Sequence, residues 1–186
     1  MTKPLQYPDL PFDSWTWGTE HLIRGDKPDH KYTCKILAPK KGRSGCLSLQ
    51  YHLEKTESWI VLTGIAWILI AVEGQVATRI MQPGDIQNIE AGTIHRLMAV
   101  SDDLKVLEPS TPDRHAADKS VPKDVVRLHC VHGREVDRAR NSEEEKLVKL
   151  CVEYTEAAIE AVERGELPIE HNPEYLVGRG AFRIEL

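Results

Sequence analysis

An all-β fold, a barrel or sandwich with a C-terminal α-helical extension, is the class this sequence predicts. Two observations carry the prediction. Between Tyr32 and Glu108, short apolar and β-branched runs alternate with turn residues, as in sandwiches and barrels. From Ser142 onward the apolar residues recur with helical spacing instead.

Taken in order, residues 1–30 read as an extended arm. Pro4, Pro8, Pro11 and Pro28 deny it regular helix, and Trp15, Trp17 and Leu22 require a surface to cover. The predicted strands are Tyr32–Leu37, Cys46–His52, Trp59–Leu62, Ile65–Val72, Gln75–Met81, Ile86–Ile89, His95–Val100 and Lys105–Glu108. Glu73-Gly74, between two apolar runs, predicts a tight hairpin. Residues 109–140 are polar and irregular, with one short strand expected at Val125–Cys130. Ser142, with Glu145 three residues on, predicts a capping box. Leu147, Cys151, Tyr154, Ala158 and Val162 then mark the apolar face of one helix, with Glu153, Glu156, Glu160 and Glu163 on the other. Gly165 and Pro168 stop it. The expected organisation is an arm (1–30), a barrel (31–135), and a helix with a tail (136–186).

Composition narrows the function classes. Of 186 residues, 41% are hydrophobic and 28% charged, with a formal net charge of −5, which argues against a nucleic-acid binder with its basic stripe. Lys119, Lys123, Arg127 and Arg134 are the one basic concentration of interest. The N-terminus has no apolar signal region, and Ile60–Val72 is too short to span a bilayer. Cys34, Cys46, Cys130 and Cys151 form no close pair, so reduced thiols and a cytoplasmic location are expected.

Chemistry concentrates in two segments, Gly45–Gly64 and Gly84–His95. Gln50 and His52 are two apart on a predicted strand, so their side chains leave the same face. Glu57 lies at an odd offset and needs a turn at Lys55-Thr56 to re-aim it. His95 begins another strand. If these faces converge, two imidazoles, a carboxylate and an amide oxygen meet, a donor set suited to Zn²⁺, Fe²⁺, Mn²⁺, Co²⁺ or Ni²⁺. A strand His is more often a hydrogen-bonded structural residue, and the chain has eight His. Spacing leaves both readings open.

The two segments resemble the paired motifs of the cupins. Gly45, Gln50, His52, Glu57 and Gly64 match the first, with Gln50 in the place of its first His. Gly84, Gly92 and His95 match the second, with Glu90 replacing its Pro. The closer resemblance, over about residues 15–135, is to the cupin domain of type II mannose-6-phosphate isomerases. Leu47–His52, Trp59–Gly64, Ala91–Leu97, Asp124–Arg127, Gly133-Arg134 and Trp17-Gly18 with Glu20 carry it. The resemblance implies a double-stranded β-helix that holds one divalent ion, zinc foremost, on Gln50, His52, Glu57 and His95. It also implies aldose–ketose isomerisation or epimerisation through an ene-diolate. Glu57, Arg134, Glu108, His129 and Glu90 are then candidates for catalysis. Arg96, Arg127 and Arg134 are candidates for a phosphorylated sugar, since a guanidinium fork bonds two phosphate oxygens. A metal-dependent oxygenase or lyase and a non-catalytic metabolite binder are the alternatives, because fold does not decide function. Ile60, Leu62, Trp67 and Leu69 lie on strands apolar on both faces, which points to a homodimer.

Overall fold

The computed structural model describes residues 7, 9–25, 27 and 29–185; Pro4, Pro8 and Pro28 lie outside them. The described residues form two antiparallel sheets and one long helix. The strands are β1 (Phe12–Trp15), β2 (Gly18–Arg24), β3 (Thr33–Pro39), β4 (Leu49–His52), β5 (Glu57–Thr63), β6 (Ala66–Val72), β7 (Gln75–Met81), β8 (Asp85–Ile89), β9 (Ile94–Ala99), β10 (Lys105–Ser110), β11 (Val125–His129) and β12 (Ala181–Arg183). A short helix, α1 (Arg114–Ala117), precedes β11, and α2 spans Ser142–Glu163. The larger sheet runs β1-β2-β3-β10-β5-β8-β12 and the smaller β11-β4-β9-β6-β7. This is an all-β jelly-roll barrel with a helical extension.

Between the sheets lies a core that includes Trp59, Val61, Ile68, Ile70, Leu97, Ala99 and Val106. Their alternate neighbours on the smaller sheet, Trp67, Leu69 and Met98, pack instead with Cys151, Ala158 and Ile159 of α2. That sheet is apolar on both faces because each face has its own partner. The helix covers Trp67 and Leu69 within one chain, leaving Ile60 and Leu62, half-buried on the outer face of the larger sheet, without a covering helix among the described residues.

Local chemistry accounts for the connections. Glu73 and Gly74 both take positive φ, 53° and 75°, the turn that matches the twist of the β6–β7 hairpin. At Gly64 (φ 75°) a Cβ would meet Leu104 backbone atoms at 2.7 Å, so the chain can pass there only without a side chain. The α2 cap is one residue earlier than expected. Asn141, not Ser142, accepts from the Glu143 and Glu144 backbone N–H groups. The Glu144 carboxylate accepts from the N–H of Arg140 at 2.6 Å, the residue before the cap, and not from that of Asn141 as a capping box would have it.

Sequence reasoning missed both ends of the larger sheet. Residues 12–24 form the β1–β2 hairpin, with Trp17 buried in the core and Trp15 exposed. The tail inserts Leu176, fully buried, into the same core and adds β12 to β8. All four cysteines are free thiols. No helix among the described residues is long and apolar enough to cross a membrane.

Candidate metal centre

β4, β5 and β9 bring three of the expected residues together. Donor atoms of His52, Glu57 and His95 lie within 4.8 Å of one another, and all three residues are buried. His95 Nε2 is 3.3 Å from Glu57 Oε1, and His52 Nε2 is 3.8 Å from Glu57 Oε2. Glu57 opens β5 after a bend at Leu53-Glu54, two residues before the turn expected at Lys55-Thr56, and the irregular link re-aims it as its odd offset from His52 requires. Gln50 stands directly opposite His95 on the neighbouring strand, and such cross-strand pairs share a face. Its Oε1 accepts from Ser48 Oγ at 2.6 Å.

The imidazoles are in the form a metal requires. His95 Nδ1 lies 2.8 Å from the Thr93 carbonyl oxygen, which only accepts. The proton therefore sits on Nδ1, leaving the Nε2 lone pair toward Glu57. Burial, then the charge of Lys55 and the neighbouring His95, lowers the His52 pKa to about 3. Burial lowers that of His95 as well, against the pull of Glu57. Burial would raise the Glu57 carboxyl, but Lys55 and His95 hold it below the ordinary carboxylate range. Neither ring nitrogen of His52 nor Nε2 of His95 has a hydrogen-bond partner. Buried polar atoms left so are costly unless something binds them. Two neutral nitrogens and an ionised carboxylate fit a divalent transition-metal ion.

Lys55 was missed as a site residue because it reads as a turn residue. Its Nζ is 2.5 Å from Glu57 Oε2 and 3.4 Å from Glu108 Oε1, and Trp59 Nε1 donates to Glu108 Oε2 at 3.2 Å. The even offset of Lys55 from Glu57 was the available signal. Asp124 completes the turn by accepting from the backbone N–H groups of Glu54 and Lys55, both at 2.9 Å, with Oδ2 3.5 Å from His52 Nδ1.

Among the other expected site residues, Arg96, His129 and Glu90 fall elsewhere, and Arg127 does not. Arg96 follows His95 on a strand, so it points to the opposite face. It is fully buried against α2, donating to Thr155 Oγ1 and to both Nδ1 and the carbonyl of His129. Arg96 and His129 are thus turned away from the cluster, a correction to the roles expected of them. Arg127 stands opposite Gln50 across β11 and β4 and so shares its face; its Nη1 donates to the Glu135 carbonyl, while its buried Nε has no partner. Arg134 Nε lies 3.2 Å from Cys130 Sγ. Glu90 is exposed beyond the end of β8.

A jelly-roll barrel with this inward-facing His/Glu cluster defines a cupin. More narrowly, the chain belongs to the mannose-6-phosphate isomerase C-terminal family, whose model matches residues 15–109, just over half of it. No curated protein matches the chain. Among solved structures it is similar to oxalate decarboxylase from Bacillus subtilis, with a TM-score of 0.51, 15% identity, and 67% of this chain and 31% of that one covered. An arginine-to-alanine mutant of that enzyme gives a TM-score of 0.53 at 16% identity, covering 67% and 32%. A CapF structure with a tropolone inhibitor gives 0.50 at 17%, covering 66% and 34%. The chain therefore spans about a third of the length of these structures, and at such identities the likeness concerns the fold.

Proposed function

We propose that this chain is a metal-dependent sugar isomerase or epimerase of the mannose-6-phosphate isomerase-like cupin type, interconverting an aldose and a ketose. The observation that carries the reading is the convergence of His52, Glu57 and His95 with unpartnered ring nitrogens, at the motif positions of a chain in this family. Gln50, His52, Glu57 and His95 would hold the ion, foremost zinc. When bound, a divalent ion supplies Lewis acidity at the sugar oxygens.

The remaining chemistry belongs to the chain. Isomerisation moves one proton from the carbon beside the carbonyl to the former carbonyl carbon, and another from the neighbouring hydroxyl oxygen to the former carbonyl oxygen, through an ene-diolate. Glu108 is the base in this reading: it takes the proton from one carbon and returns it to the next. Lys55 and Trp59 hold its two oxygens, so its direction is set before substrate arrives. Lys55 also keeps Glu57 ionised. The apolar floor of Ile68, Ile70 and Leu97 keeps bulk water from the reacting carbons.

The test is elemental analysis joined to a screen of aldoses, ketoses and their phosphates. Retained metal with interconversion of at least one pair is the expected result. Metal-free protein after growth with added zinc, iron, manganese and nickel would overturn the site. Metal retention with oxygen uptake or carbon dioxide release, and no isomerisation, would favour an oxygenase or lyase.

We also propose a homodimer through the outer face of the larger sheet. Cross-strand partners Phe12, His21, Ile36, Leu107, Ile60, Ile86 and Phe182 form one row over all seven strands, and Phe12 and Phe182 are more than half exposed. A flat apolar sheet face of this kind is a docking surface. Sedimentation should give twice the chain mass, and Ile60→Glu with Leu62→Glu should give monomers. A wild-type monomer at micromolar concentration refutes the dimer.

A further inference from the structure

Gly133-Arg134, singled out in the sequence, is engaged away from the metal centre. β11 ends at His129 and the chain turns at once. The Gly133 N–H donates to the Cys130 carbonyl at 3.2 Å, with Gly133 at a φ of 69°. The turn brings Arg134 back to Cys130, whose Sγ accepts from Arg134 Nε at 3.2 Å. His132, between them, reaches the Cys46 carbonyl at 3.0 Å. A cation that donates to sulfur favours the thiolate over the thiol.

A second cation stands close by. Arg96 is fully buried, and its terminal nitrogens are spent on Thr155 and on His129, the residue before Cys130. Its Nε has no hydrogen-bond partner. The acidic groups whose charge reaches it are Cys46, Cys151 and Cys130, and after them Glu156, which Arg43 already pairs at 2.6 Å. A buried cation without an anion is costly, so a thiolate among these three cysteines stabilises it.

The three thiols are not equal candidates. Burial pushes the Cys46 thiol up to about 11 and that of Cys151 up to about 12, against the charge of Arg96. Burial acts on Cys130 in the same sense, but the Arg134 side chain and the backbone N–H groups of Arg134 and His132 outweigh it and hold this thiol below its ordinary range. Cys46 and Cys151 are 0% exposed, whereas Cys130 keeps 9%. The fourth cysteine, Cys34, is half-buried and so more open, yet burial and then the charge of Glu108 raise it. Of the four, only Cys130 combines solvent contact with a cationic setting.

We propose that Cys130 is an oxidation site, taking hydrogen peroxide and other small peroxides at Sγ. The thiolate attacks one peroxide oxygen, which keeps its hydrogen. An S–O bond forms, the O–O bond breaks, and the second oxygen leaves as hydroxide. Sulfur is oxidised by two electrons to a sulfenic acid, and the peroxide is reduced by the same two. Two molecules of a small thiol restore Cys130, giving their disulfide and water. Arg134 is a positioning residue that holds the charge on sulfur until it reacts. The site does not depend on the reaction at the metal centre.

Two measurements on the metal-loaded protein test it, both read residue by residue by mass spectrometry. One is competitive alkylation with iodoacetamide across a pH series. The other is hydrogen peroxide followed by dimedone, which traps sulfenic acids. At pH 7 Cys130 should alkylate about tenfold faster than Cys34, although exposure alone ranks Cys34 first, because one unit of pKa changes the thiolate fraction tenfold. Its rate should also reach half its plateau at a lower pH. Dimedone should mark Cys130 and leave Cys46 and Cys151 unmarked. Arg134→Gln should slow both reactions at Cys130 by about tenfold at pH 7 and move the half-rate pH upward, with metal content unchanged. Arg134→Lys should recover part of the rate. In denaturant all four cysteines should alkylate at one rate. Three results overturn the site: Cys34 alkylating before Cys130 in the wild type, Cys130 reacting as fast in Arg134→Gln as in the wild type, or no dimedone on Cys130 after peroxide.

Discussion

His95 and Arg96 are adjacent in sequence and almost equally buried, 1% and 0% exposed, yet β9 turns them to opposite faces and opposite fates. Inside the barrel, His95 presents an unpartnered nitrogen to a carboxylate and a second imidazole. On the helix side, Arg96 spends its terminal nitrogens on Thr155 and His129, and so pins α2 to the sheet. A buried polar residue whose bonds are made within the fold is holding structure together. Several that converge with bonds unmade are prepared for a ligand.

Exchanging the two neighbours separately is the strongest way to break that contrast. His95→Ala should abolish metal retention, read by elemental analysis, while the metal-free protein melts close to wild type. Arg96→Ala should do the reverse. It leaves a cavity and strips donors from Thr155 and His129, for a loss of about 3 kcal/mol in denaturant unfolding, with metal content unchanged. Metal loss in the Arg96 variant would erase the distinction between the two faces.

Lys55 sharpens the comparison, because its ion pairs are structural while its partner Glu57 is a candidate ligand. Lys55→Met leaves two buried carboxylates without their cation and should cost about 3 kcal/mol. Added zinc should restore part of this, since an ion at Glu57 replaces the lost charge; calorimetric melting with and without zinc measures it. Thr155→Val, which removes only the α2 end of the Arg96 contact, should cost about 1 kcal/mol. Asn141→Ala, which removes the α2 cap, should cost about the same. Chemical denaturation checks both, and neither should change metal content.

Much of this was legible in the sequence. Every strand expected between Tyr32 and Cys130 is present, within a few residues at its ends, because each is an apolar or β-branched run bounded by turn residues. The hairpin at Glu73-Gly74 and the helix from Ser142 carried local chemical signals of their own. β1 and β12 did not, since one is exposed along its whole length and the other is three residues long. Both exist because a neighbouring strand offers an edge. At the site, ligand spacing exposed His52, Glu57 and His95. Arg96 misled because motif position outweighed the alternation that turns it outward. Lys55 was hidden because the partner that gives it meaning, Glu108, lies far along the chain.

The tail gives the molecule an order of assembly. Leu176 occupies the barrel core, and β12 covers the free edge of β8. A ribosome making this chain from its N-terminus releases both only after every other strand and α2 have emerged. Until then the core lacks one side chain and the larger sheet has an open edge, the surface on which strands from separate molecules join. The barrel is therefore completed only once Leu176 and β12 have emerged, and the nascent chain is most prone to association in the interval before they do.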